Sequence, residues 1–524
     1  MALAVCWLLR TLWRTARKSQ TGATLTFLPG PRSASWIYGN LLQIYHVGNA
    51  RMQEVWAAQY GRAFKYNGWL NVECLCTMDV KALTHILSHV ADYHKPELAR
   101  FRISEVIGEG LIVAEGEAHR RQNSAFGTPQ LRGFTQLFIE KSELLRDVWV
   151  AEIATHGESV RIDIFGGLAK MTLDVMGSAA FNQELNILRP GEETSELSAA
   201  FQAIFGPPTG KPHIFTLLKY MIPPLRYLTR RIARAKATFY RVGMQLITER
   251  MASIHPVTRD GKIGGNLDAI ADRDILTLLL KANIAADIPA KQRLSNDEVL
   301  ARNFLTAGYE TTSNAAMWTI YALTQAPRVE QKLVEELQAV PHDWPTMDQL
   351  QALRYLDVVV RESLRLHAPV PSTLRVATKD DVIPLNDPFV NTEGKLCDHI
   401  HIPKGTTIDV PILALNRAKF LWGEDALEFR PERWDALPPA VQGIPGVWSD
   451  MMTFIGGPRS CIGYRFAVLE IKALIFILFR AFDFKLAVPR EDLIIRSTVV
   501  QRPIVRNELD KGVQMPMLIT RRRT

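Results

Sequence analysis

The stretch that decides the fold is Phe454-Ile455-Gly456-Gly457-Pro458-Arg459-Ser460-Cys461-Ile462-Gly463. It places a single cysteine in a glycine-rich loop, and the mainly apolar run over residues 464–479 predicts a buried helix directly after it. Cys461 would then lie at the N-terminus of this helix, where the helix dipole and the free N–H groups favour a thiolate. Because glycines permit tight turns and a close approach of the backbone, the loop is predicted to hold a flat ligand.

The residues around Cys461 suit an iron porphyrin, because a thiolate binds iron and the guanidinium of Arg459 can pair with a propionate. A buried structural cysteine in a turn is the alternative. The intervals between Phe454, Arg459, Cys461 and Gly463 closely resemble the haem-ligand motif of the cytochrome P450 family. The resemblance extends from about Pro29 to the C-terminus. It implies the cytochrome P450 fold, mainly α-helical with small β-sheets, and heme b with Cys461 as the axial iron ligand.

A second motif lies in a long predicted helix, which begins at the capping box Ser295-Asn296-Asp297-Glu298 and runs to about Gln325. Inside it, residues 307–312 combine a glycine with paired threonines, which is unfavourable in mid-helix. A threonine hydroxyl can bond the carbonyl four residues back. A helix that tolerates a glycine is the alternative. The motif resembles the family's oxygen-activation site, which implies that Glu310 relays protons, Thr311 holds the oxygen and an ordered water, and Ala307 and Gly308 line the oxygen groove.

A third motif pairs Glu362 with Arg365, three residues apart, so that both would share one helix face. Surface pairs of this kind are common and contribute little to stability. Residues 429–434, however, resemble the family segment that adds a second arginine to a buried triad behind the haem. The resemblance implies that Glu362, Arg365 and Arg433 form this triad and hold the cysteine loop. Breaking the triad is then expected to abolish haem incorporation.

Two further positions resemble ligands of the haem propionates. Arg375 matches a propionate clamp of the family, and a solvated charge at a strand end is the alternative. His119 matches the first of two propionate ligands on another family helix, but Asn123 stands where an arginine should follow. The segment is shorter than its counterpart by about one helical turn. Either Arg120 or Arg121 substitutes, or one propionate clamp is missing and haem binding is weakened; an error in the gene model would give the same sequence.

The composition indicates a compact globular protein: 524 residues, 47% hydrophobic and 22% charged, without a long low-complexity tract. The formal net charge of +8 is spread along the chain. This distribution excludes nucleic acid as a reasonable partner and favours an acidic protein or an anionic membrane surface. The cysteines are too few and too scattered for a disulfide framework, which favours a reducing compartment.

The N-terminus, residues 1–20, is predicted to associate with a membrane. Its apolar run ends at Leu9 and is followed by regularly spaced basic residues, so it is too short to span a bilayer, which needs about 20 residues. It suits an interfacial helix or a shortened signal-anchor, whereas its arginine-rich, acid-free composition also fits a mitochondrial transit peptide. A frayed terminus is the remaining alternative. Residues 21–36 resemble the proline-rich hinge of eukaryotic family members, which implies a haem domain over residues 37–524 and favours the endoplasmic reticulum membrane over the mitochondrion.

Several shorter segments complete the prediction. Residues 63–66 and 72–77 alternate with period two and predict strands. Cys397, His399 and His401 alternate onto one strand face, but no fourth zinc ligand is evident, which favours an ordinary strand. Residues 201–228 resemble the family's mobile lid over the substrate entrance, with an ordinary helix connection as the alternative. Residues 497–503 resemble the segment that turns back over the haem pocket.

The resemblance implies a monooxygenase that inserts one oxygen atom of O2 into a lipophilic small molecule. No flavin or nicotinamide module is left in the chain, so NADPH electrons would arrive through a separate NADPH-cytochrome P450 reductase. Analogy favours secondary metabolism, for example of terpenoids. One alternative is a haem-thiolate isomerase or dehydratase without external electrons, against which the Glu310–Thr311 pair argues. The other is a non-catalytic haem-binding protein, supported by the shortened segment after His119.

Overall fold

The computed structural model describes residues 25–48, 50–107, 112–116, 128–189, 302–497 and 499–522, with isolated positions between 218 and 249. The helices in this part of the chain are α1 (Leu41–Val47), α2 (Arg51–Tyr60), α3 (Val80–Ser88), α4 (Glu97–Ile107), α5 (Thr128–His156), α6 (Ile164–Phe181), α7 (Arg302–Thr324), α8 (Pro327–Gln338), α9 (Met347–Ala352), α10 (Arg354–Leu366), α11 (Ile412–Asn416), α12 (Lys419–Trp422) and α13 (Tyr464–Ala481). The predicted fold class, mainly α-helical with small β-sheets, is confirmed.

The strands are short: β1 (Ala63–Asn67), β2 (Glu73–Thr77), β3 (Tyr93–His94), β4 (Ser159–Asp163), β5 (Thr373–Ala377), β6 (Asp381–Val390), β7 (Leu396–Ile402), β8 (Thr407–Val410), β9 (Phe482–Leu486), β10 (Leu493–Ser497), β11 (Gln501–Val505) and β12 (Pro516–Arg521). They form one sheet in the order β1-β2-β8-β5-β3, a second in the order β4-β12-β9, and the hairpins β6–β7 and β10–β11. The strands predicted over residues 63–66 and 72–77 are confirmed as β1 and β2, which pair antiparallel.

The core lies where the long helices cross. α7 packs along α6, and α13 packs against both α5 and α7. The helix predicted after the cysteine loop is confirmed as α13, whose residues from Leu469 to Phe479 are all buried. The ring of Phe466 meets those of Phe134 and Phe138 on α5 edge to face, with centroids 5.5 and 4.8 Å apart. Such edge-to-face contacts add to the stabilisation from apolar burial and fix α13 beside the cysteine loop.

The long helix α7 is described from Arg302 and ends at Thr324, one residue before the predicted end. Its described length corresponds to about 35 Å at 1.5 Å per residue. The predicted capping box lies outside the described residues. The second half of α7 is apolar and buried, and Trp318 stacks on the imidazole of His367 with ring centroids 5.2 Å apart. This packing fixes α7 against the end of α10.

The described part of the predicted hinge packs on the domain. Leu25 and Leu28 are buried in a cluster with residues of the five-stranded sheet, and the backbone N–H of Lys65 donates to Pro29 O at 3.0 Å. Within the residues that the structure describes, no helix combines the length and the apolar character needed to cross a membrane. Residues 1–24 lie outside these ranges, as does the predicted lid apart from Leu218.

Candidate haem-thiolate site

The cysteine loop is a tight turn held by backbone contacts. Ile455 and Gly457 adopt positive φ angles of 55° and 71°. A Cβ on Gly456 would lie 1.7 Å from Pro445 O, so only glycine fits there. The backbone N–H of Cys461 donates to Phe454 O at 2.8 Å and closes the loop immediately before α13. No atom of the described residues lies within 4 Å of where a Cβ on Gly463, the N-cap of α13, would be, so these residues leave space open on that side.

Two opposing effects act on the ionisation of the Cys461 thiol. Its side chain is exposed to solvent, yet desolvation by the surrounding protein raises the pKa of the thiol to about 11, although a hydrogen bond from the Gly463 backbone acts in the opposite direction. Before a metal binds, desolvation therefore outweighs the helix dipole and favours the protonated thiol, and the thiolate ligand of haem iron stays a prediction. A metal ion has to displace the proton for Cys461 to act as a thiolate.

Behind the loop, Glu362, Arg365 and Arg433 are brought together and are fully buried. Arg365 on α10 donates to both carboxylate oxygens of Glu362, from Nε at 2.9 Å and from Nη2 at 2.8 Å. Arg433 Nε donates to Glu362 Oε1 at 3.2 Å, and Trp434 Nε1 donates to Oε2 at 3.1 Å. Arg433 also pairs with Asp425 at 2.8 Å, so each of the two guanidiniums has a carboxylate partner in a desolvated region.

Asn416, at the end of α11, connects these buried charges to the cysteine loop. Its carbonyl accepts a hydrogen bond from Arg365 Nη1 at 2.8 Å. Its side chain accepts from the Met452 backbone N–H and donates to Thr453 Oγ1, both at 2.8 Å. Met452 and Thr453 immediately precede Phe454, whose carbonyl holds Cys461. Hydrogen bonds and this short backbone segment therefore connect Glu362 to the cysteine.

A cluster of three cations lies beside the loop. Arg459 is bound to the carboxylate of Glu115 and donates to Ala114 O at 2.5 Å. Lys95 donates from Nζ to Ile112 O at 2.5 Å, and its backbone N–H donates to Glu115 Oε1 at 3.0 Å. Desolvation, followed by the charges of Arg375 and Arg459, lowers the pKa of Lys95 to about 7. Desolvation likewise lowers the pKa of Arg375 to about 10, while the charge of Glu115 acts in the opposite direction and that of Arg459 in the same direction.

On α7, three hydroxyl groups bond to backbone carbonyls around Glu310. Thr311 Oγ1 donates to Ala307 O, four residues back, as the sequence predicts. Ser313 Oγ donates to Glu310 O at 3.2 Å, and Thr172 of α6 donates to Tyr309 O at 3.0 Å. A Cβ on Gly308 would lie 2.5 Å from Met176 Sδ. Gly308 therefore permits the close packing of α7 on α6, and its place in an oxygen groove stays a prediction.

The carboxylate of Glu310 is held from outside α7. Arg502 on β11 donates to Glu310 Oε1 from Nε at 2.6 Å and also from Nη2. Each side chain is 12% exposed, so the pair is largely removed from water. The hairpin β10–β11 that carries Arg502 includes the residues predicted to turn back over the pocket. The pair places an acid and a cation next to Thr311, where proton transfer is predicted.

Comparison with known proteins decides the family. The family model described as Cytochrome P450 matches residues 28–508. The chain is 52% identical over 502 residues to cytochrome P450 monooxygenase 205 of Postia placenta, which covers 94% of this chain and 92% of that protein. Cytochrome P450 monooxygenase claP of Ampulloclitocybe clavipes is 33% identical, with 99% of this chain and 97% of that protein covered. The chain belongs to the cytochrome P450 family. It is an oxidoreductase, a haem-thiolate P450 monooxygenase.

The described residues of this P450 fit a haem group. Cys461 offers an accessible sulfur in a rigid loop, and open space lies beside Gly463. Arg375 and Arg459 with Glu115 leave a surplus of one positive charge, and protonation of Lys95, which two ionised propionates would favour, adds a second. An anionic ligand would relieve the repulsion among these desolvated cations. The donor set and the charge therefore both agree with the cofactor of the family.

Some predicted residues lie outside this description. His119, with Arg120, Arg121 and Asn123, falls among the undescribed residues, so the effect of the shortened segment stays a prediction. His399 and His401 have their Nε2 atoms 3.0 Å apart on β7. Nowhere in the described ranges do three or more His, Cys, Asp or Glu side chains cluster in a way that suits a metal ion.

The sequence reasoning missed Lys95, Asn416 and Arg502. Lys95 and Arg502 come near their partners only through the tertiary fold, and no spacing along the chain indicates it. Asn416 had a usable signal, because a polar residue that ends an otherwise apolar helix, Ile412–Asn416, must find hydrogen-bond partners when it is buried.

Proposed function

We propose that this P450 inserts one oxygen atom of O2 into a lipophilic small molecule in secondary metabolism, for example a terpenoid. The acid–hydroxyl pair Glu310–Thr311 on α7 is the observation that carries the reaction type, because oxygen insertion needs protons delivered to a desolvated site. The substrate class rests on analogy with fungal relatives that are named P450 monooxygenases.

Haem bound through Cys461 supplies the activation of dioxygen. The protein's own part begins with the loop: Cys461 would bind the haem iron, Phe454 and Gly463 flank it, and the buried charges behind it hold the loop in place through Asn416. Glu362, Arg365 and Arg433 are structural in this proposal and touch no substrate. Their burial means that they act on haem retention rather than on selectivity.

The propionates are assigned to Arg375, Arg459 and Lys95, with His119 as a predicted fourth ligand outside the described residues. Arg375 and Lys95 have few partners besides backbone oxygens and Thr373, so both retain donors for an anion. Glu115 now neutralises Arg459, and a propionate would compete with it for this guanidinium. Lys95 is included among the propionate ligands because of its charge, not because of a sequence motif.

For the proton route, we assign Thr311 and Glu310 consecutive roles. Thr311 donates its own hydroxyl hydrogen to Ala307 O, so the lone pairs of its oxygen remain free to accept from an ordered water. Glu310, on the adjacent position, exchanges protons between that water and the solvent, because 12% of its side chain remains exposed. Ala307 and Gly308 keep their predicted place along the oxygen groove.

Electrons are proposed to come from NADPH through NADPH-cytochrome P450 reductase, and the net charge of +8 suits an acidic donor.

Residues 1–20 are proposed to bind the endoplasmic reticulum membrane, with the mitochondrion as the alternative, and residues 21–36 to form the hinge before the catalytic domain. Conversion of a substrate without NADPH would instead support the isomerase or dehydratase alternative. Haem binding without any reductase-dependent product would support the non-catalytic alternative.

The test compares two cysteine variants by the carbon-monoxide difference spectrum of the reduced protein. Wild type and Cys397→Ser are expected to give the strongly red-shifted Soret band of a thiolate ligand, since Cys397 lies on β7, away from the loop. Cys461→Ser is expected to lose this band, because a hydroxyl does not replace the thiolate. A red-shifted band in Cys461→Ser, or none in wild type, would overturn the assignment of the site.

A further inference from the structure

The ion pair between Glu310 and Arg502 is built into the packing of β11 on α7. Next to Arg502, the carbonyl of Gln501 accepts a hydrogen bond from Asn314 Nδ2, one helical turn after Glu310. The backbone N–H of Gln501 donates to Pro369 O at 2.9 Å, and its side-chain amide donates to Ala368 O at 2.7 Å. Three hydrogen bonds therefore fix the backbone beside Arg502, and the guanidinium has little freedom to leave Glu310.

The contact is also chemically specific. Arg502 uses both Nε and Nη2 on the same oxygen, Glu310 Oε1, which restricts rotation of the carboxylate. Its third nitrogen, Nη1, is buried and has no hydrogen-bond partner among the described residues. Among the described residues, the guanidinium therefore directs its hydrogen bonds to Glu310.

We propose that Arg502 is the positioning residue for proton delivery, which it controls by holding the Glu310 carboxylate in place beside Thr311. The proposal rests on the role assigned to Glu310 above. An ionised carboxylate whose Oε1 accepts two N–H donors has its other oxygen available, so the pair presents a single acceptor to the water chain. Without Arg502, the largely desolvated carboxylate loses its cation and its fixed orientation, and proton delivery to the site becomes slower.

The matched control is Arg496, the cross-strand partner of Arg502 on β10. Arg496 donates to His46 O at 3.1 Å and lies over the ring of Tyr45, so it is an arginine on the same hairpin with no contact to Glu310. Replacing either arginine by glutamine removes one charge from the hairpin. Only the Arg502 variant should change the behaviour of Glu310.

The first measurement asks whether the two residues act as a unit in the folded holoenzyme. Thermal unfolding of Glu310→Gln, Arg502→Gln and the double variant is followed by circular dichroism. We expect each single variant to lower the midpoint by about 1–3 °C. The midpoint of the double variant should be no lower than that of the less stable single variant. Additive losses would overturn the proposal, because they would mean that the two side chains do not depend on each other.

The second measurement asks whether the pair serves proton delivery. With reductase and NADPH, the ratio of hydrogen peroxide released to NADPH consumed is recorded, together with its solvent deuterium dependence. Arg502→Gln is expected to raise this ratio several-fold toward its limit of one peroxide per NADPH, Arg502→Lys to reverse part of the rise, and Arg496→Gln to leave the ratio unchanged. In the Glu310→Gln background, Arg502→Gln should have no further effect.

The outcomes distinguish a failure of the role assigned to Glu310 from a failure of the inference on Arg502. If Glu310→Gln leaves the peroxide ratio unchanged, the role of Glu310 itself is wrong, whatever Arg502 does. If Glu310→Gln raises the ratio but Arg502→Gln does not, Glu310 stands and the inference on Arg502 is overturned. An equal effect of Arg496→Gln would also overturn it, because the hairpin rather than the guanidinium would then be responsible.

Discussion

At the scale of single residues, Glu362 is the carboxylate behind the cysteine loop whose loss should destabilise the described part of the protein most. It accepts hydrogen bonds from Arg365, Arg433, Trp434 and the backbone N–H of Arg430. None of its surface remains exposed, so water cannot replace a lost partner. Removing the charge leaves Arg365 without its carboxylate in a desolvated region, which costs more than an equivalent change on the surface.

Glu362→Gln is therefore expected to cost roughly 3–5 kcal/mol, the range for breaking a buried ion pair, and to abolish haem incorporation. The measurement is the ratio of haem absorbance to protein after purification. Glu432→Gln is the control, because Glu432 pairs with Lys332 on the exposed side of the same segment and should retain haem. Normal haem content in Glu362→Gln would show that the buried charges do not hold the loop.

Residues differ in how far the sequence reveals them. Cys461, Glu362 and Arg365 belong to local motifs whose spacing places them together, and the structure brings Arg433 to the same site. The link through Asn416 and the pair of Glu310 with Arg502 join segments far apart in the chain, so no periodicity indicates them. The state of the Cys461 thiol could not be predicted either, because desolvation depends on everything that packs around the loop.

At the scale of elements, the five-stranded sheet buries a carboxylate that no cation neutralises directly. Asp409 on β8 is fully buried and accepts hydrogen bonds from Gln53 of α2 at 3.1 Å and Tyr66 of β1 at 3.2 Å. Desolvation raises the pKa of Asp409 to about 6, despite these bonds. Strands β1 and β2 were predicted from their alternation, but β8 and this polar contact between α2, β1 and β8 were not.

The raised pKa of Asp409 makes the stability of the folded protein depend on pH. Between about pH 4 and pH 6 the folded protein keeps a proton on Asp409 that the unfolded chain has lost, so this contribution to stability falls as the pH rises. Above pH 6 the loss is roughly 2–3 kcal/mol. Urea unfolding midpoints are expected to show this slope in wild type and in the control Asp348→Asn, an exposed position. Asp409→Asn should show a smaller slope, because other buried carboxylates with raised pKa values, such as Glu470, remain; an unchanged slope would contradict the assignment.

At the scale of the whole molecule, the charge balance bears on the electron donor. The net charge of +8 favours encounter with an acidic partner at low ionic strength, and salt screens this attraction over a Debye length of about 8–10 Å. The rate of first-electron transfer from the reductase, followed by stopped flow, is therefore expected to fall several-fold between 50 and 300 mM salt. A non-ionic solute at matched osmolality is the control, and a rate independent of salt would exclude electrostatic steering.

The sheet β4-β12-β9 can form only late in the synthesis of this protein. β4 ends at Asp163, and its partner β12 begins only at Pro516, so most of the chain is synthesised between them. At about 5–20 residues per second, β4 waits on the order of half a minute on the ribosome before its partner is made. The cysteine that receives the iron also emerges late. Haem loading and closure of this sheet thus belong to the last moments of biosynthesis, after the helices have been made.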